Sequence, residues 1–93
     1  KSGVDPAALF DLADAIVSLR QLHLTGLMAI PPVAAEAETR QYFRRMRELR
    51  DEVQRRHSAV RHLSIGMTDD FELAIEEGAT MIRVGRAIFE GRT

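Results

Sequence analysis

Val60-Arg61-His62-Leu63-Ser64-Ile65-Gly66-Met67-Thr68-Asp69-Asp70-Phe71-Glu72-Leu73-Ala74-Ile75-Glu76-Glu77-Gly78-Ala79-Thr80-Met81-Ile82-Arg83-Val84-Gly85 decides the fold. Val60 to Ile65 reads as a strand. Thr68 or Asp69 can cap a short helix carrying Phe71, Leu73, Ala74 and Ile75. With Asp69 as the cap, Glu72 falls where a capping box places an acid. Gly78 supplies the helix stop. Thr80 to Val84 reads as a further strand, rich in β-formers. Gly85 breaks it, and Ala87 to Phe89 opens one more helical turn.

Upstream the same alternation continues. Asp5-Pro6 is a helix start, with Asp as cap and Pro pre-set for the first helical position. Leu9, Leu12, Ala13, Ile16 and Leu19 follow at helical spacing, and the helix fades near Arg20. Leu22 to Ile30 reads as a strand, apolar enough on both faces for a buried parallel position. Pro31-Pro32 ends it. A long helix runs from about Ala35 to His57, with Tyr42 or Phe43, Met46, Leu49 and Val53 on one stripe. Seven Arg lie between Arg40 and Arg56, interleaved with Glu48, Asp51 and Glu52. They read as a solvated face with intrahelical ion pairs. The order α-β-α-β-α-β implies parallel strands joined by right-handed crossovers.

The chain has 93 residues and a mass of 10.4 kDa, one small domain at most. Lys and Arg number 13 against 14 Asp and Glu, a net charge of −1 that argues against nucleic acid as a partner. There is no Cys, which excludes a disulfide framework, a thiolate nucleophile and a Cys-ligated metal. No apolar run approaches the roughly 20 residues of a membrane span. The opening Lys1-Ser2-Gly3-Val4-Asp5-Pro6 lacks the apolar core of a signal peptide. A cytoplasmic chain without a membrane partner is the expectation. Lys1 is the single lysine, so a pocket amine has almost no candidate. The chain lacks an initiator Met and opens in a loop, which suggests a piece of a longer protein. Three strands are too few for a closed barrel and would leave two open edges. Either copies of the chain pair with one another or the remainder of a larger fold completes the sheet.

Ligands of parallel α/β folds bind at the C-terminal ends of strands. Those ends are Met28-Ala29-Ile30, Ser64-Ile65-Gly66-Met67 and Arg83-Val84-Gly85-Arg86. Two carry glycine where a strand gives way, which lets backbone N–H groups approach an anion. Ser64 adds a hydroxyl, and the pattern suits a phosphate. Arg83 lies in a strand expected to be buried, where a guanidinium must meet either a neighbouring carboxylate or a ligand. His23, His57 and His62 do not converge as zinc ligands do. Ser64, His62 and Asp69 imply no catalytic triad, because His62 and Ser64 share one strand face. Neither a Walker loop nor a dinucleotide fingerprint is present.

Several blocks come together in family order: Gly26-Leu27-Met28-Ala29-Ile30-Pro31, Leu63-Ser64-Ile65-Gly66-Met67-Thr68-Asp69-Asp70, and Ile82-Arg83-Val84-Gly85-Arg86-Ala87-Ile88-Phe89. With Lys1-Ser2-Gly3, Ala74-Ile75 and Gly78, they resemble the C-terminal part of the pyridoxal phosphate homeostasis proteins, the YggS/PROSC type. Those are single-domain barrels similar to the N-terminal domain of alanine racemase. The resemblance covers essentially the whole chain and about two fifths of a typical family member. It implies that residues 1–93 supply the last three βα units of a (β/α)8 TIM-type barrel, and that the remaining strands lie outside this chain. It implies a pyridoxal 5′-phosphate carrier or regulator, without established catalysis. Ser64 would hydrogen-bond the cofactor phosphate. The backbone at Ile65 and Gly66 would line the cradle, and Gly85 and Arg86 would donate N–H groups to it. Arg83 would approach the pyridine nitrogen and keep it unprotonated, which weakens the ring as an electron sink. Met28 and its loop would sit near the pocket rim.

Two departures bear on this. Arg86 stands where many relatives carry Thr, and it would either replace the hydroxyl with a charge-assisted contact or point away. The family's Schiff-base lysine belongs to the first strand and is not in this chain, and Lys1 cannot take its place. These residues alone are therefore expected to bind the cofactor weakly or not at all. The competing readings are a fragment of a racemase-like enzyme dependent on pyridoxal phosphate and a self-associating half-barrel with no cofactor. The first needs a tyrosine or other base facing the cofactor, and the only Tyr is Tyr42 on the outer helix.

Overall fold

The computed structural model describes residues 3–32 and 34–83. Its elements run α1 (Pro6–Val17), β1 (Gly26–Met28), α2 (Glu36–Arg56), β2 (His62–Met67), α3 (Phe71–Glu76) and β3 (Met81–Arg83). The three strands form one sheet in the order β1-β2-β3, and both pairings are parallel. The alternation expected from the sequence is therefore the architecture. Val84, Gly85 and Arg86, with the helical turn expected at Ala87 to Phe89, lie outside the described residues.

Boundaries differ where local bonding overrides propensity. Asp5 is the N-cap of α1 in extended conformation with Pro6 behind it, but its side chain makes no capping bond. Its carbonyl accepts from Ala8 N–H instead, at 2.9 Å. The helix stops at Val17, short of Arg20, where the Ser18 hydroxyl donates back to the Ala15 carbonyl at 2.6 Å. A side chain bonded this way competes with helix continuation. β1 shrinks to three residues and is an edge strand among the described residues, not a buried one. Its pairing begins where Thr25 O accepts from both Arg61 and His62 N–H, at 3.0 and 2.9 Å.

The core sits between the sheet and the helices in two clusters. Leu9 and Ala13 of α1 meet Leu49, Val53 and Val60 in the first. Phe43 of α2 meets Leu63, Ile65 and Ala74 in the second. Leu27 and Met46 pack against both and join them. Of the two aromatics offered by the α2 stripe, Phe43 is fully buried, while Tyr42 is 47% exposed.

The arginines of α2 do less intrahelical pairing than expected. Arg45 pairs along the helix with Glu48 and Glu52, and Arg50 pairs with Asp51. Four others reach across to neighbouring helices. Arg56 and His57 both meet Asp14 of α1, at 3.0 and 2.7 Å. Arg40, Arg44 and Arg47 converge on Glu77, just past α3. Residues 40, 44 and 47 share one helical face, so that stripe is an interhelical seam.

Candidate functional site at the open face of the sheet

Strand side chains alternate between faces. Leu63 and Ile65 of β2 point into the helix layer and are buried, whereas His62 and Ser64 are half-buried on the opposite face. Register then assigns the neighbours: Met28 of β1 and Met81 of β3 both stand opposite Ser64. Met28 and Met81 are exposed, which places all three on the open face.

Beyond Ser64 the pairing of β2 with β3 slips. Ser64 pairs with Met81, but Met67 pairs with Arg83, so β2 spends one more residue than β3 over the same rise. That is a β-bulge. Gly66 lies within it, at a φ of +96° that side-chain-bearing residues rarely adopt. A Cβ there would lie 2.6 Å from Ala74 Cβ and 3.1 Å from Phe71 Cα. The missing side chain lets α3 rest directly on β2. The extra residue lies in β2, so β3 keeps its alternation and Arg83 stays on the same face as Met81, two residues on.

The turn after the bulge is tied by Asp70. Its Oδ1 accepts from Met67 N–H at 2.8 Å, and its own N–H donates to Met67 O at 3.2 Å. Asp70 is also the residue before α3, in place of the expected Thr68 or Asp69, and its side chain caps the turn instead of the helix. The expected stop at Gly78 forms, with φ +105°. Ala79 N–H bonds to Ala74 O at 2.9 Å, and Gly78 N–H to Ile75 O at 3.1 Å, the paired bonds of a Schellman motif. Thr80 then secures β3: its Oγ1 accepts from Leu63 N–H at 2.8 Å, and its N–H donates to Leu63 O at 3.0 Å.

Ser64, Ile65, Gly66 and Arg83 therefore occupy unequal positions. Ser64 is half-buried on the open face. Ile65 is 2% exposed, with its side chain in the second core cluster, so only its backbone is available to a ligand. Gly66 is the bulge residue. Arg83 is exposed, contrary to the burial expected from Met81-Ile82-Arg83-Val84. The reason is parity: Ile82 turns toward Gly66 and the helices, and Met81 and Arg83 turn away. No described residue forms an ion pair with Arg83. The carboxylate partner weighed from the sequence is thus absent among the described residues.

Arg83 also borders a hollow at the C-terminal ends of the strands, with Ile30, Pro31, Met67 and Thr68. Carboxylates line the same hollow, Glu36, Asp69, Asp70, Glu72 and Glu76, and Asp70 holds the amide of Met67, the register partner of Arg83. The hollow's other arginine, Arg40, is tied to Glu76 at 2.8 Å and Glu77 at 3.2 Å. Hydrogen bonds to Glu76 and then Glu77 raise the Arg40 pKa. Glu77 answers in the other direction. Its carboxyl is held below the ordinary value of 4.5, first by the Arg44 hydrogen bond and then by Arg40, against an opposing effect of burial. No group of three or more metal-ligating side chains occurs among the described residues. No described helix is long and apolar enough to cross a membrane.

The family model of the alanine racemase N-terminal domain matches residues 1–93. The chain belongs to the alanine racemase N-terminal domain family. Among curated family members, it is 49% identical over 94 residues to the pyridoxal phosphate homeostasis protein of Aquifex aeolicus, covering 99% of this chain and 41% of that protein. The same-named protein of Pseudomonas aeruginosa is 46% identical over 93 residues, with 39% of it covered. The chain spans about two fifths of the length of these relatives. PipY of Synechococcus elongatus, solved without pyridoxal phosphate, superposes with a TM-score of 0.89 at 39% identity, over 96% of this chain and 43% of PipY. PipY with pyridoxal phosphate bound superposes with a TM-score of 0.87 at 38% identity. The fold is therefore a partial barrel of the alanine racemase N-terminal type.

Proposed function

We propose that this chain is the phosphate-binding part of a pyridoxal 5′-phosphate carrier, with Ser64 as the hydroxyl donor to the phosphate and Arg83 as the cation at the pyridine nitrogen. The observation that carries the reading is the shared face. Ser64 and Arg83 stand on adjacent parallel strands, two residues apart in register, at the strand ends where such folds bind ligands. Strand spacing and rise put their Cα atoms about 8 Å apart, within reach of one small ligand. The donor set suits the cofactor: a neutral hydroxyl and a permanent cation, with no acid between them in register. Gly85 and Arg86 complete the proposed cradle.

The cofactor supplies a conjugated ring and an aldehyde when bound. The residues of this chain bind its anionic end and orient its ring. The aldehyde's lysine partner belongs to the part of the relatives this chain does not span, and the carrier role of the whole protein is part of the proposal. Tyr42 is on the helix layer, so no observation favours the racemase-like alternative.

Titration calorimetry with pyridoxal phosphate tests the reading on the whole protein that carries these residues, as wild type, Ser64→Ala and Arg83→Gln. A hydrogen bond to a charged group contributes about 1.5–3 kcal/mol, so Ser64→Ala should weaken binding roughly 10- to 100-fold. Arg83→Gln should shift the bound ring's absorbance band. Unchanged affinity in Ser64→Ala together with an unchanged band in Arg83→Gln overturns it.

A further inference from the structure

Glu77 is charged yet only 6% exposed, and it stands at the joint where α3 hands the chain on to β3. Its Oε1 accepts from Arg44 Nε at 3.3 Å, and its Oε2 accepts from Arg44 Nη2 at 3.3 Å and Arg40 Nη1 at 3.2 Å. Its main-chain carbonyl accepts from Arg47 Nη1 at 3.3 Å. The stem of Arg47 lies against the next residue, since a Cβ at Gly78 would be 2.9 Å from Arg47 Cδ. Apolar side chains would hold two helices about as firmly, because desolvating a carboxylate offsets much of its attraction to the arginines. Directed bonds add a fixed position. Two routes lead from that position to the strand ends. Back along α3, Ala74 rests on Gly66 and Asp70 holds the amide of Met67. Forward into β3, Thr80 bonds Leu63, and the register then sets Met81 opposite Ser64 and Arg83 opposite Met67.

We propose that Glu77 is a positioning residue for the phosphate site: clamped by Arg40, Arg44 and Arg47, it fixes the seat of α3 on Gly66 and the register of β3 on β2, and so the spacing of Ser64 and Arg83. This rests on the phosphate reading above and deepens it. The competing account is that the cluster only holds α3 to α2. Glu77 separates the two by sign. By charge alone, removing a carboxylate near an anion site strengthens anion binding. Loss of position weakens it.

The test titrates pyridoxal 5′-phosphate into the whole protein that carries these residues, as wild type, Ser64→Ala, Glu77→Gln, Arg44→Gln and Val53→Ala. Val53 belongs to the first core cluster, which contains no residue of α3, so Val53→Ala is the control for lost stability alone. Residues that touch no ligand modulate binding by about 2- to 30-fold, and Glu77→Gln and Arg44→Gln should each weaken binding within that range. The two act through one contact, so the double variant should bind no more weakly than Glu77→Gln. Both should also move the phosphorus-31 resonance of the bound phosphate. Val53→Ala should keep the affinity within twofold and the resonance in place. If Ser64→Ala weakens binding while Glu77→Gln binds as tightly as wild type or Val53→Ala, the positioning role is overturned and the phosphate reading stands. If Ser64→Ala binds like wild type, the phosphate reading has failed and the positioning role falls with it. Should Glu77→Gln fail to fold, Arg44→Gln decides, since its side chain is 52% exposed: an unmoved resonance overturns the proposal.

Discussion

Placing a methyl group at residue 66 should destabilise the protein out of proportion to its size. Gly66 combines a φ of +96° with a Cβ position already taken, 2.6 Å from Ala74 Cβ. The backbone alone costs an alanine about 1–3 kcal/mol in such a conformation. The overlap adds to this, since carbon atoms prefer separations of about 3.5–4.0 Å and the start of α3 must back away by about 1 Å. Forced overpacking of this kind typically costs about 1–3 kcal/mol. The lower entropy of an unfolded alanine returns about 0.4–1 kcal/mol. Gly66→Ala should therefore lose about 1–6 kcal/mol, a large share of the roughly 5–15 kcal/mol that holds small domains folded. Urea unfolding followed by far-ultraviolet circular dichroism measures the loss as a lower midpoint at unchanged slope. A double-mutant cycle with Ala74→Gly separates the two causes. Removing the Ala74 methyl makes room, so the pair should cost about 1–2 kcal/mol less than the two single variants summed, inside the range for side chains in contact. Additivity to within about 0.5 kcal/mol would refute the overlap. A loss under about 1 kcal/mol for Gly66→Ala alone would refute the backbone argument as well.

Other expectations are simpler. Phe43→Ala empties the centre of the second core cluster and should cost about 3–5 kcal/mol in the same urea assay, whereas Phe43→Leu should cost much less; similar losses for both would mean that the site collapses freely. Thr80→Val removes the acceptor of Leu63 N–H and should cost about 1–3 kcal/mol, with Thr80→Ser near wild type, and the reverse order would point to the methyl group instead. Glu77 has a lowered pKa in the folded state, so its contribution is fully present above its ordinary value of 4.5 and is lost as pH falls below that through the folded value. The melting-temperature gap between wild type and Glu77→Gln should accordingly be widest at neutral pH and close on acidification, and a gap constant from about pH 7 to about pH 3 contradicts the latch of Arg40, Arg44 and Arg47.

The element order is legible in the sequence because each switch of period is marked by a residue with a distinct physical job. Pro6, the Pro31-Pro32 pair and Gly78 all act within a few residues of themselves, so no tertiary knowledge is needed to place them. The length of β1 is not legible, since Leu22, Leu24 and Thr25 are apolar or β-forming whether or not a neighbour pairs with them; only Thr25 O meeting Arg61 and His62 N–H decides where the ladder starts. The exposure of Arg83 is hidden for a related reason. Met81-Ile82-Arg83-Val84 looks like a buried run, and only the register with β2 reveals which parity faces out. The bulge at Gly66 is the hidden step. Glycine in a strand hints at one, but the slip that sets Arg83 opposite Met67 exists only between two strands. The role of Asp70 is half visible: an acid before a helix reads as a cap, whereas its oxygen in fact holds the Met67 amide. The seam on Glu77 follows from nothing local, because its three arginines lie a whole strand and helix away in sequence.

The division of the core into two clusters has a kinetic consequence. α1 owns no strand, and it holds to the rest through Leu9, Ala13 and the contacts of Asp14 with Arg56 and His57. The cluster around Phe43, Leu63, Ile65 and Ala74 contains none of its residues. Detaching α1 would leave the sheet with its α2 and α3 cover intact, so the molecule has a route to partial opening that stops short of global unfolding. Amide hydrogens of α1 should then exchange with solvent through this partial opening, at a lower free energy than those of β2.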